Sequence, residues 1–105
     1  MELKISAPGL DLDQDDLTLI EKSLRKLDRR LRHYDRVEAE VRITRGADGN
    51  PSRRVTLEVG YGRHHLVATA EHNEGQQALN HARDEMIRQI NDAKKHGGHS
   101  DYAKR

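Results

Sequence analysis

The sequence predicts an α+β domain with the element order β-α-β-β-β-α, in which one four-stranded sheet carries two helices on one face. Two observations lead to this prediction. Along two long segments, apolar residues recur at spacings of three and four, which indicates amphipathic helices. Along four shorter segments, apolar and polar residues alternate, which is typical of strands that bury one face. Helices that cover the buried face of such a sheet make a two-layer domain.

The composition fits one small domain with a thin core. The chain has 105 residues, a hydrophobic fraction of 33% and no Cys, Trp or Phe, so disulfides and thiol chemistry are excluded. The formal net charge is only +1, which means that binding to a polyanion depends on where the charges lie. No apolar run reaches the roughly 18–20 residues that span a bilayer, and no signal-peptide pattern is present. We therefore expect a soluble, cytoplasmic, monomeric protein with no membrane partner.

The first predicted elements are a strand over residues 2–7 and one long helix over residues 13–36, separated by Pro8-Gly9. Asp13 is the expected N-cap, and Asp15 and Asp16 fall in the first turn, where the helix dipole favours negative charge. The spacing of three and four places six residues on one apolar stripe: Leu17, Ile20, Leu24, Leu27, Leu31 and Tyr34.

The side of helix one opposite this stripe is basic. At about 100° per residue, seven residues fall on it: Lys22, Arg25, Lys26, Arg29, Arg32, His33 and Arg36. Like charges four apart repel by roughly 0.2–0.5 kcal/mol per pair, and the face contains four such pairs: Lys22–Lys26, Arg25–Arg29, Arg29–His33 and Arg32–Arg36. A charged outer face is usually just solvated, whereas a face of nearly one sign also fits binding to nucleic-acid phosphates. The residues alone leave both interpretations open.

Three more strands are predicted over residues 37–44, 54–61 and 65–71, and they form an antiparallel meander. The segment 45–52 contains Gly, Asp, Asn and Pro and is a predicted loop, and Gly62-Arg63 is a predicted tight turn. On the outer face of the sheet, acidic residues outnumber basic ones: Glu2, Glu38, Glu40, Glu58 and Glu71 against Lys4 and Arg42. Because this face offers no aromatic side chain for base stacking, it does not fit an RNA-recognition surface.

Helix two is predicted over residues 74–95, with Asn73 as its cap. Its outer side mixes both signs of charge, and its apolar stripe consists of Leu79, Ala82, Met86, Ile90 and Ala93. Gly97-Gly98 is a predicted helix stop, and we expect the segment 97–105 to be a disordered tail. The predicted domain therefore covers residues 1–96.

No motif in the chain indicates an enzyme. His64 and His65 are adjacent on a strand and point to opposite faces, and the remaining histidines lack the spacing of metal ligands. Gly60-x-Gly62 precedes a strand rather than a helix, so it does not fit a phosphate-binding loop. The serines lack a nucleophile-elbow context. We expect no catalysis, no metal, no cofactor and no small-molecule substrate.

Three short stretches resemble the ribosome hibernation-promoting factor family, also described as ribosomal subunit interface proteins. They are the pattern L-x-K-L-x-R at residues 24–29, the run HLVATAE at residues 65–71 and the run MIRQI at residues 86–90. The resemblance covers about residues 1–95 and implies the same element order. The chain is similar to the short form of the family, which has no further dimerisation domain. It also implies a bacterial stress-response protein whose helical side binds small-subunit (16S-type) rRNA near the decoding region. There it would block mRNA and tRNA binding and help to store inactive ribosomes.

The chain departs from the family pattern at three places. Ser23 stands where Lys is usual, Gly75-Gln76 replaces a common Met-Tyr pair, and Asp92-Ala93 replaces a frequent Lys-His pair. These differences leave helix one with most of the expected rRNA site, and Lys26 and Arg29 match basic family positions there. The residues expected to contact RNA are Lys22, Arg25, Lys26, Arg29, Arg32 and Arg36 on helix one, and more weakly Arg88, Lys94 and Lys95 on helix two.

Two other functions stay open at this point. The basic helix also fits a protein-interaction module that binds an acidic partner, such as a transcription factor. Strands two to four followed by helix two give an arrangement like that of double-stranded-RNA-binding domains, which fits a generic duplex binder. Since phosphate contacts fix position without reading sequence, specificity for a ribosome would come from the shape of the rRNA pocket.

Overall fold

The structure is a computed structural model that describes residues 1–46 and 52–103, with side chains described as far as residue 94. Its elements are β1 (Glu2–Ser6), α1 (Gln14–Leu31), β2 (Val37–Arg45), β3 (Arg53–Tyr61), β4 (His64–His72) and α2 (Gly75–Ala103). The predicted α+β class and the order β-α-β-β-β-α are confirmed, and the strand bounds differ from prediction by at most one residue at either end.

The four strands form one sheet in the order β1-β2-β3-β4. β1 runs parallel to β2, and the other two neighbouring pairs are antiparallel, as the predicted meander requires. The register pairs Val41 with both Ile5 and Leu57, so inward apolar side chains of neighbouring strands stand side by side. Because side chains alternate along a strand, the residues between them point to the opposite face of the sheet.

Both helices cover the inward face of the sheet. Leu24 and Leu27 of α1, Leu57 of β3, and Leu79 and Met86 of α2 are almost fully buried and belong to one apolar cluster. Removing this apolar surface from water is the main favourable contribution to folding. No helix in the described parts of the chain is long and apolar enough to cross a membrane.

Helix α1 begins where the sequence predicts and ends earlier. The Asp13 side chain accepts a hydrogen bond from the Asp16 N–H (2.9 Å), and the Asp16 side chain accepts one from the Asp13 N–H (3.1 Å), which makes a capping box. The helix ends at Leu31, so the predicted extension to Arg36 is wrong. The Tyr34 N–H donates to the Leu31 carbonyl (3.0 Å) in a turn, because the chain must change direction to enter β2. Tyr34 and Arg36 therefore lie outside the helix.

The start of α2 also differs from its prediction. The first helical residue is Gly75, and the Glu74 carbonyl accepts a hydrogen bond from the Ala78 N–H (3.0 Å). The Glu74 N–H donates to Nδ1 of His72 (3.0 Å). Glu74, and not the predicted Asn73, is therefore the residue that directly precedes the helix. The His72 ring, at the end of β4, accepts the hydrogen bond from the backbone N–H of Glu74.

The far end of α2 extends beyond its predicted stop. The backbone stays helical to Ala103, so the helix end predicted at Gly97-Gly98 is wrong. A glycine inside a helix costs roughly 1 kcal/mol relative to alanine, which weakens a helix without forcing it to end. The division of the chain into a domain over residues 1–96 and a disordered tail over residues 97–105 stays a prediction.

Candidate nucleic-acid interface

Four basic side chains stand exposed on the side of α1 that faces away from the core, and we call them the basic row: Lys22, Arg25, Lys26 and Arg29. Residues four apart on a helix are separated by roughly 6 Å along its axis, so the row presents several charges along one line. Among the described side chains, no carboxylate lies within ion-pair distance of any member of the row. The row is therefore available to an anionic partner.

The charges of the basic row repel one another. Members four apart form two like-charged pairs, each of which costs a helix roughly 0.2–0.5 kcal/mol. The two further pairs that the sequence predicts involve His33 and Arg36, and they are not helical pairs because α1 ends at Leu31. The flanking acid Asp28 lies 3.6 Å from the N-terminal ammonium group of Met1 and does not pair with the row. The row thus carries an electrostatic cost that no carboxylate among the described side chains offsets.

Two of the residues predicted on helix one lie beyond the basic row. Arg32 is the C-cap of α1, and Arg36 lies in the turn before β2; both are exposed. Arg30, which the sequence analysis does not select, is turned towards α2, where its Nη1 donates to Oδ1 of Asn91 (2.6 Å). The predicted basic surface of helix one is therefore divided into the row itself and a second group of cations at the end of the helix.

The residues predicted on α2 differ from the row. Arg88 donates through Nε to Oε1 of Glu85 (3.0 Å) and through Nη1 to Oδ2 of Asp92 (2.8 Å). The hydrogen bonds with Arg88 lower the pKa of the Glu85 carboxyl, so this arginine is balanced by ionised partners. Lys94 is exposed and has no ion-pair partner among the described side chains, and the side chain of Lys95 lies outside the described residues. Of the cations predicted on α2, Arg88 is therefore already paired among the described side chains and Lys94 is not, and their part in RNA binding stays a prediction.

Ser23 is buried at the seam between the two helices, with 7% of its surface exposed. Its hydroxyl donates to Oδ1 of Asn80 (3.0 Å) and accepts from Nη1 of Arg83 (3.1 Å). Arg83 is itself paired with Asp84 at 2.8 Å. A lysine in place of Ser23 would bring an ammonium group against this guanidinium. The serine therefore acts as a packing residue between the two helices.

The outer face of the sheet carries the opposite charge from the basic row. The register places Glu40 directly opposite Glu58, and Glu2 beside Glu38. His65 lies on the same face, with its Nε2 2.9 Å from Oε2 of Glu58. Like charges directly across neighbouring strands are destabilising, so this face also retains a repulsive arrangement. Acidic and basic surfaces thus lie on opposite sides of the domain, as the sequence predicts.

An aromatic group at the end of α1 is missed by the sequence analysis, and we call it the ring cluster: His33, Tyr34, Tyr61 and His64. Successive ring centroids are 4.5, 4.9 and 4.9 Å apart. Tyr61 and His64 flank the turn at Gly62 and are paired across the hairpin. Their positions on either side of the predicted turn are the one signal in the sequence from which this ring pair could be predicted. Tyr34 joins them only because α1 ends before it. Burial raises the pKa of the Tyr61 phenol, and the neighbouring Tyr34 adds to this effect.

The described residues contain no group of three or more His, Asp or Glu side chains that could hold a metal ion. His64 belongs to the ring cluster and His65 to the outer face, since neighbours on a strand point to opposite sides. His72 and His81 form an edge-on ring pair with centroids 5.7 Å apart. These four histidines therefore pack against other rings or form hydrogen bonds.

Two solved structures share this architecture. The N-terminal domain of Protein Y from Thermus thermophilus superposes with a TM-score of 0.74 at 20% identity, over 86% of this chain and 96% of that chain. A ribosomal subunit interface protein from Coxiella burnetii gives a TM-score of 0.73 at 15% identity, over 90% of this chain and 99% of that chain. At sequence identities this low, the similarity shows a shared fold and nothing more.

Sequence comparison gives the family. No curated protein matches the chain in sequence. The family described as Sigma 54 modulation protein / S30EA ribosomal protein matches residues 3–96, which is nearly the whole described domain. This match agrees with the motifs in α1, β4 and α2 and with the shared fold. The chain therefore belongs to the Sigma 54 modulation protein / S30EA ribosomal protein family, the family of ribosome hibernation-promoting factors and subunit interface proteins.

Proposed function

We propose that this protein docks on the rRNA of the small ribosomal subunit through the basic row of α1, and silences translation by occupying that site. Family membership already makes it a ribosome-associated factor of the hibernation and subunit-interface type, and the proposal adds the docking surface. Because its partner is the ribosome, the protein acts in the cytoplasm. It binds by charge and shape, with no chemical step and no cofactor.

The contrast between the basic row and Arg88 carries this proposal. The row keeps four cations without carboxylate partners among the described residues, at a cost to the helix, whereas Arg88 is held by Glu85 and Asp92. A cation that neutralises a phosphate releases condensed counterions, which drives binding and makes it dependent on salt. An arginine that is already paired gains less, because it must first give up its carboxylates.

The acidic outer face of the sheet supports one orientation of the domain on RNA. Glu40 and Glu58 stand side by side on this face, and a phosphate backbone would be repelled there. The helical side therefore faces the rRNA and the sheet faces away from it. Phosphate contacts fix such an orientation without reading sequence, so the shape of the rRNA site provides the specificity.

Cosedimentation with 30S subunits and 70S ribosomes at increasing salt tests the proposal. Arg25→Glu combined with Arg29→Glu reverses the charge of half of the row, and we expect this variant to lose binding because two attractive phosphate contacts become repulsive. Wild-type binding is expected to weaken steeply with salt, with a log–log slope that grows by roughly 0.7–0.9 for each phosphate neutralised.

Arg42→Glu combined with Arg54→Glu is the control, since both arginines are exposed, lie on the outer face and give the same change in net charge. Because Arg54 lies opposite Glu71, at 3.9 Å, urea denaturation checks that this variant is folded. We expect this control to cosediment like the wild type. Equal binding by the wild type and the Arg25/Arg29 variant would refute the proposed surface. Displacement from ribosomes by an equal amount of plain RNA duplex would favour a generic duplex binder, and unchanged polysome profiles would favour an acidic protein partner.

A further inference from the structure

A concavity of about 460 Å³ opens beside the ring cluster, where the turn after α1 leads into β2. Tyr34 and His64 on its wall are half-buried, so part of each ring is accessible, while Tyr61 is only 4% exposed and closes the base. Arg36 lies on the same wall. The arginine that the sequence analysis assigns to the helix is thus placed beside accessible aromatic rings.

The position of Tyr34 is set by its surroundings. Gly62 has a positive φ of 55°, and a Cβ at this residue would lie 3.3 Å from Cε1 of Tyr34, so the ring packs directly on the turn. Tyr34 also meets Tyr61 edge-on, at an interplanar angle of 67°, and its ring centroid lies 4.5 Å from that of His33. A ring that is held in place before binding loses little conformational freedom when a second flat group stacks on it.

The charges around the ring cluster determine which chemical groups the concavity can accept. Asp35 and Glu38 line the concavity and would repel a phosphate, while their oxygens can accept hydrogen bonds from the amino group of a base. On the helical side of the same rings, Arg30 and Lys94 line a smaller cleft of about 70 Å³. Phosphates are therefore favoured outside the concavity, at Arg30 and Lys94, and a neutral flat group is favoured within it.

We infer that the ring cluster binds one unpaired nucleobase of the RNA strand whose phosphates contact the basic row. This inference rests on the proposed function and adds to it a second kind of contact. Phosphate contacts hold the strand along α1, and the strand then turns a base onto Tyr34 and His64, next to Arg36. Every base has an aromatic face, so stacking tolerates different sequences while it requires a single-stranded segment.

The experiment compares a ten-nucleotide oligo(A) RNA with heparin, a polyanion that has no bases. Tyr34→Leu keeps an apolar side chain and removes the ring, and we expect it to weaken oligo(A) binding by roughly fivefold to a hundredfold, the range for one stacked base. Its binding to heparin is expected to match that of the wild type. Tyr34→Phe keeps the ring and is expected to bind oligo(A) like the wild type.

A measurement on the wild type covers the case in which Tyr34→Leu does not fold. The chain has three Tyr and no Phe or Trp, so few ring signals need to be assigned in a proton NMR spectrum, and Tyr34→Phe identifies those of Tyr34. Stacking of a base on Tyr34 is expected to shift its ring signals upfield when oligo(A) is added, and heparin is expected to leave them in place.

Two results would overturn the inference. One is equal affinity of Tyr34→Leu and the wild type for oligo(A), and the other is an equal loss of affinity for oligo(A) and heparin, which would assign the ring a purely structural role. Failure of the proposed function would look different. In that case Arg25→Glu combined with Arg29→Glu would bind both polyanions and the ribosome as well as the wild type does.

Discussion

At the scale of single residues, the hydroxyl of Ser23 joins the two helices. It donates to Asn80 and accepts from Arg83, and both partners lie on α2. A buried hydroxyl must find partners, because leaving it without them costs roughly 1–3 kcal/mol. The same contacts explain why a lysine, usual here in the family, does not fit beside this particular arginine.

Ser23→Ala is expected to lower the free energy of unfolding by about 1 kcal/mol, because Nη1 of Arg83 then keeps only a weaker 3.4 Å bond to Asn80, while Nε and Nη2 stay bonded to Asp84. Ser23→Lys is expected to cost more, since it buries a second cation beside the guanidinium. Urea denaturation measures both changes. Thr18→Ala, at an exposed position of α1, is the control and is expected to change stability by less than about 0.5 kcal/mol. A Ser23→Lys protein as stable as the wild type would contradict this account.

Tyr61 gives the domain a dependence on alkaline pH. Burial raises the pKa of its phenol above the ordinary value of 10.0, so the unfolded chain loses this proton at a lower pH than the folded protein does. Its contribution to stability is therefore complete below pH 10.0 and is lost as the pH rises through the folded pKa. Denaturation curves on both sides of pH 10.0 are expected to show a smaller loss for Tyr61→Phe than for the wild type. Equal losses would show that another group is responsible.

At the scale of elements, the two helices use similar residues in opposite ways. Helix α1 gathers its cations in the basic row and leaves them without carboxylate partners among the described side chains. Helix α2 spaces Glu85, Arg88 and Asp92 three and four apart, so that opposite charges meet. The first arrangement costs stability, and the second stabilises a long helix.

Freeing the paired arginine on α2 is expected to extend the binding surface. Glu85→Gln combined with Asp92→Asn removes both partners of Arg88, and we expect ribosome affinity to rise by roughly threefold to tenfold, since one more cation can reach a phosphate. Cosedimentation at a fixed salt concentration measures the change. Glu2→Gln combined with Glu40→Gln, on the outer face, gives the same change in net charge and is the control. Equal gains by both variants would show that total charge decides affinity.

At the scale of the whole molecule, positive and negative charges lie on opposite sides of the domain, although its net charge is only +1. The basic row lies on the helical side, and the row of glutamates lies across the sheet. Such an arrangement orients the domain in the field of a polyanion more than it raises overall attraction. A protein that must occupy one site on a large RNA in one orientation benefits from this arrangement.

Glu2→Gln is expected to raise the free energy of unfolding by roughly 0.2–1 kcal/mol at low salt, because it relieves the like-charged contact with Glu38, whereas Glu40 is kept because Lys4 lies opposite it on β1. Affinity for 30S subunits is expected to stay near that of the wild type, since the proposed orientation turns this face away from the RNA. Urea denaturation and cosedimentation give the two values. A loss of ribosome binding in this variant would place the contact on the sheet and would contradict the proposed orientation.

The element order and the bounds of the strands could be predicted because they depend on local spacing. Alternation along a strand reports which side chains are buried, and the strands therefore agree with prediction to within one residue at each end. The ends of the helices could not be predicted in this way. Helix α1 stops at Leu31, and Tyr34 then packs on the hairpin turn at Gly62, a contact with a distant segment that the sequence near Tyr34 does not specify.

By itself, the sequence determined the fold class, the apolar stripes, the basic row and the acidic outer face, because each depends on the spacing of residues within one element. The tertiary structure decided which cations keep a free charge, that Ser23 is buried against Arg83, and that Tyr34 meets Tyr61 and His64. These features depend on contacts between segments far apart in the chain. Pairing and burial are properties of neighbours in space, and a one-dimensional pattern does not specify them.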